Sequence, residues 1–158
     1  MFEVDLKKFK KYDKPGPRYT SYPTAPQFTE KFTKQDFLDE VIKTNYGEKL
    51  PPLSLYFHLP FCDTLCYFCG CNMIITRNRS RVNDYVQYVK NEIDILRPYL
   101  LPDRKVSQLH WGGGTPTHLT PDEIADLISY IKQSFEFTDN AEEGCEIDPR
   151  GLFKEHLE

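Results

Sequence analysis

Between Pro51-Pro52 and Pro60 the chain reads LSLYFHL, an aromatic and aliphatic run that predicts a short buried strand over 53–59. A helical period follows: Tyr85, Val86, Val89, Ile93 and Leu96 fall on one face of a helix opened by Asn83 or Asp84 and reaching about Tyr99. KVSQLHW (105–111) predicts a second strand, running into Gly112-Gly113-Gly114. Thr120-Pro121-Asp122-Glu123 supplies a threonine cap, proline at the first helical position and glutamate three residues after the cap, so a helix should reach Ser134 or Phe135. GCEI (144–147) reads as a third strand stopped by Pro149, with a last helix from Leu152. Ahead of these, Phe37, Leu38, Val41 and Ile42 line one face of a helix over 32–43 capped by Thr33. It sits in an irregular arm that contains the proline-rich stretch KPGPRYTSYPTAPQF (14–28).

Strand, loop and helix alternate twice and begin a third time, which argues for an α/β fold with parallel strands and helical crossovers. The expected organisation is an amino-terminal arm with one short helix (1–51) followed by an incomplete (β/α) barrel core (52–158). Three strands make half a barrel or half an open sheet and leave an edge bare. Together with GLFKEHLE, which reads as a helix cut after two turns, this predicts a fragment of a longer protein.

The 158 residues are 39% hydrophobic and 28% charged, with a formal net charge of −4. An acidic chain lacks the basic surface that grips nucleic acid. No apolar run approaches the ~20 residues that span a bilayer, and the first residues have no secretory core. A cytoplasmic protein with reduced thiols is expected. That makes the five cysteines informative: Cys62, Cys66, Cys69 and Cys71 crowd into ten residues, with Cys145 apart, a poor disulfide framework and a good metal or cluster site.

Cys62-x-x-x-Cys66-x-x-Cys69 lets one short loop aim three thiolates at three corners of a [4Fe–4S] cube, leaving the fourth iron for a non-protein ligand such as S-adenosylmethionine. A zinc site is the alternative, since close thiolates also satisfy zinc. The glycine run at the end of the second strand admits a ligand to the backbone, and in parallel α/β folds ligands sit at the carboxyl ends of strands. Glu146, ending the third strand, can accept from a ribose hydroxyl. His58 lies on the same side of its strand as Tyr56 and is a candidate proton relay, while Trp111 and the Tyr56/Phe57 pair read as core. Arg77, Arg79 and Arg81, and Arg18 in the arm, could attract carboxylates. His110, His118 and His156 have no metal-site spacing.

The three-cysteine loop, with Phe68 just before its last cysteine, resembles that of the radical S-adenosylmethionine superfamily. GPRYTSYPTA (16–25), LSLYFHLPFC (53–62), CYFCGCN (66–72), QLHWGGGTPT (108–117) and EIDPR (146–150) together resemble the oxygen-independent coproporphyrinogen III oxidases, from about Tyr12 to Arg150 and over the amino-terminal part of that family only. The resemblance implies the amino-terminal half of a radical-SAM partial barrel. It implies a [4Fe–4S] cluster on Cys62, Cys66 and Cys69, with Tyr56, Gly113 and Glu146 lining one S-adenosylmethionine and Phe68, Gly114 and Thr115 touching a second. The implied reaction is conversion of coproporphyrinogen III to protoporphyrinogen IX in anaerobic haem biosynthesis. A 5′-deoxyadenosyl radical takes hydrogen from a propionate β-carbon, and an electron donor such as flavodoxin or ferredoxin feeds the cluster. Arg18 and Arg77 are the candidate substrate contacts. Cys71, in the CxC ending, is a candidate catalytic residue with His58. It also resembles the oxidase rather than the haem-chaperone branch, which stays an alternative beside a zinc-stabilised module.

Overall fold

The computed structural model describes residues 5–13, 24–48, 50–67 and 69–157. Two compact units divide the chain, Met1–Asp36 and Phe37–Glu158. The first contains helix α1 (Leu6–Lys10), a 3-10 turn at Ala25–Gln27 and the start of α2 (Lys34–Lys43). Thr33 caps α2 reciprocally: its hydroxyl accepts from Asp36 N at 3.2 Å, and the Asp36 carboxylate accepts from Thr33 N at 2.7 Å.

The second unit is built on three parallel strands, β1 (Leu53–Leu59), β4 (Val106–Gly113) and β5 (Phe137–Cys145), in the order β1-β4-β5. Parallel neighbours need crossovers, which here carry α3 (Arg79–Leu96) and α4 (Pro121–Ser134). Between β1 and α3 the chain makes two-residue strands β2 (Phe61–Cys62) and β3 (Ile74–Ile75), which pair with each other. Among the described residues β1 and β5 are both edges of the sheet.

The core gathers Leu59 and Phe61, Val82, Val86 and Ile93 of α3, Val106, Leu109 and Trp111 of β4, and Leu127 and Ile131 of α4. Only one side of β1 joins it. Leu53, Leu55 and Phe57 pack against the cluster, whereas Ser54 and Tyr56 are exposed. The expected buried strand is therefore half-buried, with the period-two alternation of a two-faced sheet. On the open face Ser54 Oγ donates to Gln108 Oε1 at 2.8 Å, and the Tyr56 ring stacks on His110 with centroids 5.9 Å apart. Tyr56 is 58% exposed and is not core; Trp111 is.

Three boundaries differ from expectation. Helix α3 starts at Arg79 because Asn78 caps it, its side chain accepting from Arg81 N, and this brings Val82, fully buried, into the apolar stripe. Asn83, which looks like a cap in sequence, lies inside the helix; with its amide nitrogen turned to donate, it reaches Glu123 on α4 at 2.7 Å. Strand β5 begins seven residues before Gly144. Its residues FTDNAEE have little strand preference; the ladder to β4 through Gln108–Glu142 and Leu109–Glu143 imposes the conformation. The last helix is one 3-10 turn, Lys154–His156.

Helix α4 opens as anticipated: Thr120 Oγ1 accepts from Glu123 N, and the Glu123 carboxylate accepts from Thr120 N at 2.8 Å. The same carboxylate pairs with Arg79 of α3. Burial works to raise the Glu123 pKa, but the Thr120 N–H and then the Arg79 guanidinium outweigh it and hold the carboxyl below its usual range. A depressed carboxyl contributes stability above its unfolded pKa and loses it as pH falls through the folded value. Glu123→Gln is therefore expected to cost about 1 kcal/mol at neutral pH, discounted because Arg79 is partly exposed. In acid the wild-type and variant curves converge. Urea unfolding across the acid range checks this; a constant difference would contradict it.

Candidate cluster and cofactor site

The cysteine loop is stapled at its base. Ile74 N donates to Pro60 O at 2.6 Å and Thr76 N to Cys62 O at 3.2 Å, so the chain from 62 to 73 leaves and returns at one place. The glycine loop is joined to the same place: Gly114 N reaches Leu59 O at 2.9 Å and Thr115 N reaches Phe61 O at 2.8 Å. Within the loop Cys69 N donates to Cys66 O at 3.0 Å, a turn that draws these two cysteines together. Cys62, Cys66 and Cys69 line one cleft of about 330 Å³ with Gly114, Thr115 and the segment 147–150. Cys62 Sγ is 3.5 Å from Thr115 Oγ1.

All five cysteines are free thiols. Among the described residues no group of three or more His, Cys, Asp and Glu side chains is gathered tightly enough to hold a single ion. Cys62, Cys66 and Cys69 nevertheless line one cleft, and three thiolates are the donor set that a cubane takes, one on each of three irons.

Beside this cleft the open face of the sheet forms a polar floor. A Cβ on Gly112 would lie 2.9 Å from the Tyr56 hydroxyl and 3.1 Å from the Glu146 carboxylate, so these side chains close over bare backbone. Glu146 is anchored by its own N–H to Trp111 O at 2.9 Å and faces His110 Nε2 at 3.5 Å. Gly113 has φ +114°, with the His58 ring 2.9 Å from where a Cβ would stand. His58 Nε2 is 2.8 Å from Asn72 O; that oxygen can only accept, so Nε2 carries the proton and Nδ1, 3.4 Å from the Tyr56 hydroxyl, is left to accept. Cys71 is exposed, and its thiol pKa is raised, first by a hydrogen bond with Cys69 and then by that residue's charge.

Tyr56, His58, Gly113 and Glu146 thus share the floor, and Gly114 and Thr115 share the cysteine cleft. Arg77 does not line that cleft: it is exposed beside a neighbouring one with Asp63, Arg79 and His118. Arg79 is spent on Glu123 and His118 O. Phe68 and Arg18 lie outside the described residues. Sequence reasoning gave no role to His110 or Arg150. The position of Arg150 inside EIDPR was an available signal, whereas His110 is placed opposite Tyr56 only by the strand register.

No family model matches the chain. The solved structure of coproporphyrinogen III oxidase from Escherichia coli, described as a radical SAM enzyme, superposes with a TM-score of 0.78 at 44% identity, over 96% of this chain and 32% of that one. The fold is that of the amino-terminal part of a radical S-adenosylmethionine enzyme. Oxygen-independent coproporphyrinogen III oxidase from Mannheimia haemolytica is 48% identical over 145 residues, 92% of this chain and 96% of that protein. The protein of the same name from Escherichia coli strain K12 is 49% identical over 148 residues. The chain belongs to the oxygen-independent coproporphyrinogen III oxidase family. It spans 31% of the length of the Escherichia coli relative and 35% of one from Helicobacter pylori.

Proposed function

We propose that this chain is the cluster- and S-adenosylmethionine-binding part of an enzyme that oxidatively decarboxylates coproporphyrinogen III to protoporphyrinogen IX. The observation that carries the proposal is the single cleft in which Cys62, Cys66 and Cys69 meet Gly114 and Thr115 at the carboxyl ends of parallel strands. When bound, the reduced cluster and S-adenosylmethionine supply the electron and the carbon radical that removes hydrogen from a propionate β-carbon.

The chain's own residues bind and orient. Cys62, Cys66 and Cys69 would hold the cluster through their thiolates. Gly112 and Gly113, without Cβ atoms, let Tyr56, Glu146 and His58 close down on the backbone, and the Glu146 carboxylate accepts from ribose hydroxyls. Tyr56, stacked on His110, walls the adenosine side. His58 keeps its proton on Nε2, held by Asn72 O, and its Nδ1 is the acceptor available to a proton from Tyr56 or substrate. Phe68, Gly114 and Thr115 are assigned to a second S-adenosylmethionine, Arg77 and Arg18 to substrate carboxylates, and Cys71 to catalysis beside His58. No described helix is long and apolar enough to cross a membrane. A cytoplasmic setting, with a flavodoxin or ferredoxin as electron donor, suits an oxygen-sensitive cluster.

Anaerobic reconstitution with iron and sulfide, followed by EPR of the reduced chain with and without S-adenosylmethionine, tests the reading. A [4Fe–4S] signal that shifts on addition is expected. A chain that takes zinc and no cluster would overturn it.

A further inference from the structure

The EIDPR segment brings one cationic group against the cysteine loop: Arg150 Nη2 lies 3.1 Å from Cys66 Sγ. That guanidinium is clamped. Its Nε reaches the two Asp148 oxygens at 2.9 and 3.1 Å, and Nη2 reaches Asp148 Oδ2 at 2.6 Å. Arg150 N also donates to Asp148 Oδ1 at 3.0 Å, so backbone, carboxylate and guanidinium form a closed unit. The Asp148 carboxyl is held down to about 2, first by the Arg150 side chain and then by its N–H, and so stays ionised. Asp148 and Arg150 line the cleft of Cys62, Cys66 and Cys69.

We infer that Arg150 is a positioning residue that donates an N–H···S hydrogen bond to Cys66 and thereby raises the reduction potential of the cluster bound there, an inference that rests on the cluster reading above. Reduction adds one electron from an external reductant and breaks no bond, so the cluster and its thiolates become more negative. A fixed guanidinium against one sulfur stabilises that reduced state more than the oxidised one, because hydrogen bonds to the sulfurs and nearby charge set cluster potentials. Charge assistance and the bidentate clamp direct this bond, although the Arg150 side chain is itself 62% exposed. Asp148 aims the guanidinium while its own charge offsets part of the field.

The test is a redox titration of the reconstituted full chain, with iron content measured alongside, for wild type, Arg150→Lys, Arg150→Gln and Asp148→Asn. Arg150→Gln should shift the potential to more negative values and Asp148→Asn to less negative ones, with Arg150→Lys between wild type and Arg150→Gln. Shifts of opposite sign are not what a merely structural role produces. Equal potentials at equal iron content in wild type and Arg150→Gln would overturn the role of Arg150 and leave the cluster reading standing. A wild-type chain that takes no cluster would overturn both. If Arg150→Gln alone assembles no cluster, Asp148→Asn decides: an upward shift supports the inference, and no shift or a downward one overturns it.

Discussion

Cys66→Ala is expected to abolish cluster assembly, with iron and sulfide per chain falling to background after anaerobic reconstitution. Two remaining thiolates leave half of a four-iron cube open to water, and thiolate ligation is what holds such clusters. The loss should be chemical rather than conformational. The turn at 66–69 is made by the Cys66 carbonyl, which alanine keeps. Cys66 is only half-buried, so the unfolding free energy of the metal-free chain should change by no more than about 0.5 kcal/mol. Cys71→Ala is the control. Its thiol is exposed and borders the loop without lining the cleft, so cluster content should stay at the wild-type level. Full iron content in Cys66→Ala, or its loss in Cys71→Ala, would show that the ligands are assigned wrongly.

The second large effect is on stability. Gly114→Ala should destabilise the chain by about 3 kcal/mol, the upper part of the range for overpacking. A Cβ there would stand 2.6 Å from the Pro60 carbonyl carbon and oxygen and 2.8 Å from Phe61 O. These are backbone atoms of the junction between β1 and β2, so no side-chain rotation relieves the contact. Relief requires parting the bonds from Gly114 N to Leu59 O and from Thr115 N to Phe61 O. Those bonds tie the glycine loop to the cysteine loop, and a variant that still folds should also bind cluster less well. Gly151→Ala, where a Cβ meets nothing within 4 Å, should stay within about 0.5 kcal/mol of wild type. Urea unfolding of the two variants measures both. A Gly114→Ala cost below about 1 kcal/mol would mean that the two loops are not locked together.

Much of the site was legible because its chemistry is local. Three thiols in eight residues need no long-range information to suggest a cluster, and Thr120-Pro121-Asp122-Glu123 caps its own helix within one turn. Glu146 and the glycines were legible through position, since strand ends mark ligand sites in parallel sheets. Other roles depend on partners far along the chain. His110 meets Tyr56 only through the register of β1 and β4. Arg150 meets Cys66 across 84 residues of sequence. The arginines after the cysteine loop look alike in sequence, yet Arg79 is taken by Glu123 while Arg77 remains at a surface cleft.

The sequence by itself determined the alternation of strands and helices, the caps at Thr33 and Thr120, and the cysteine spacing. Each rests on residues within a few positions of one another, where backbone preference and side-chain reach decide the outcome. Only the tertiary structure decided that β1 buries a single face, that a polar stretch extends β5, and that the cysteine and glycine loops share one cleft. Those outcomes come from pairing between strands far apart in the chain, some fifty residues for β1 with β4 and more than thirty for β4 with β5. The free energy of such pairing lies in a ladder and a packed core that no local window contains.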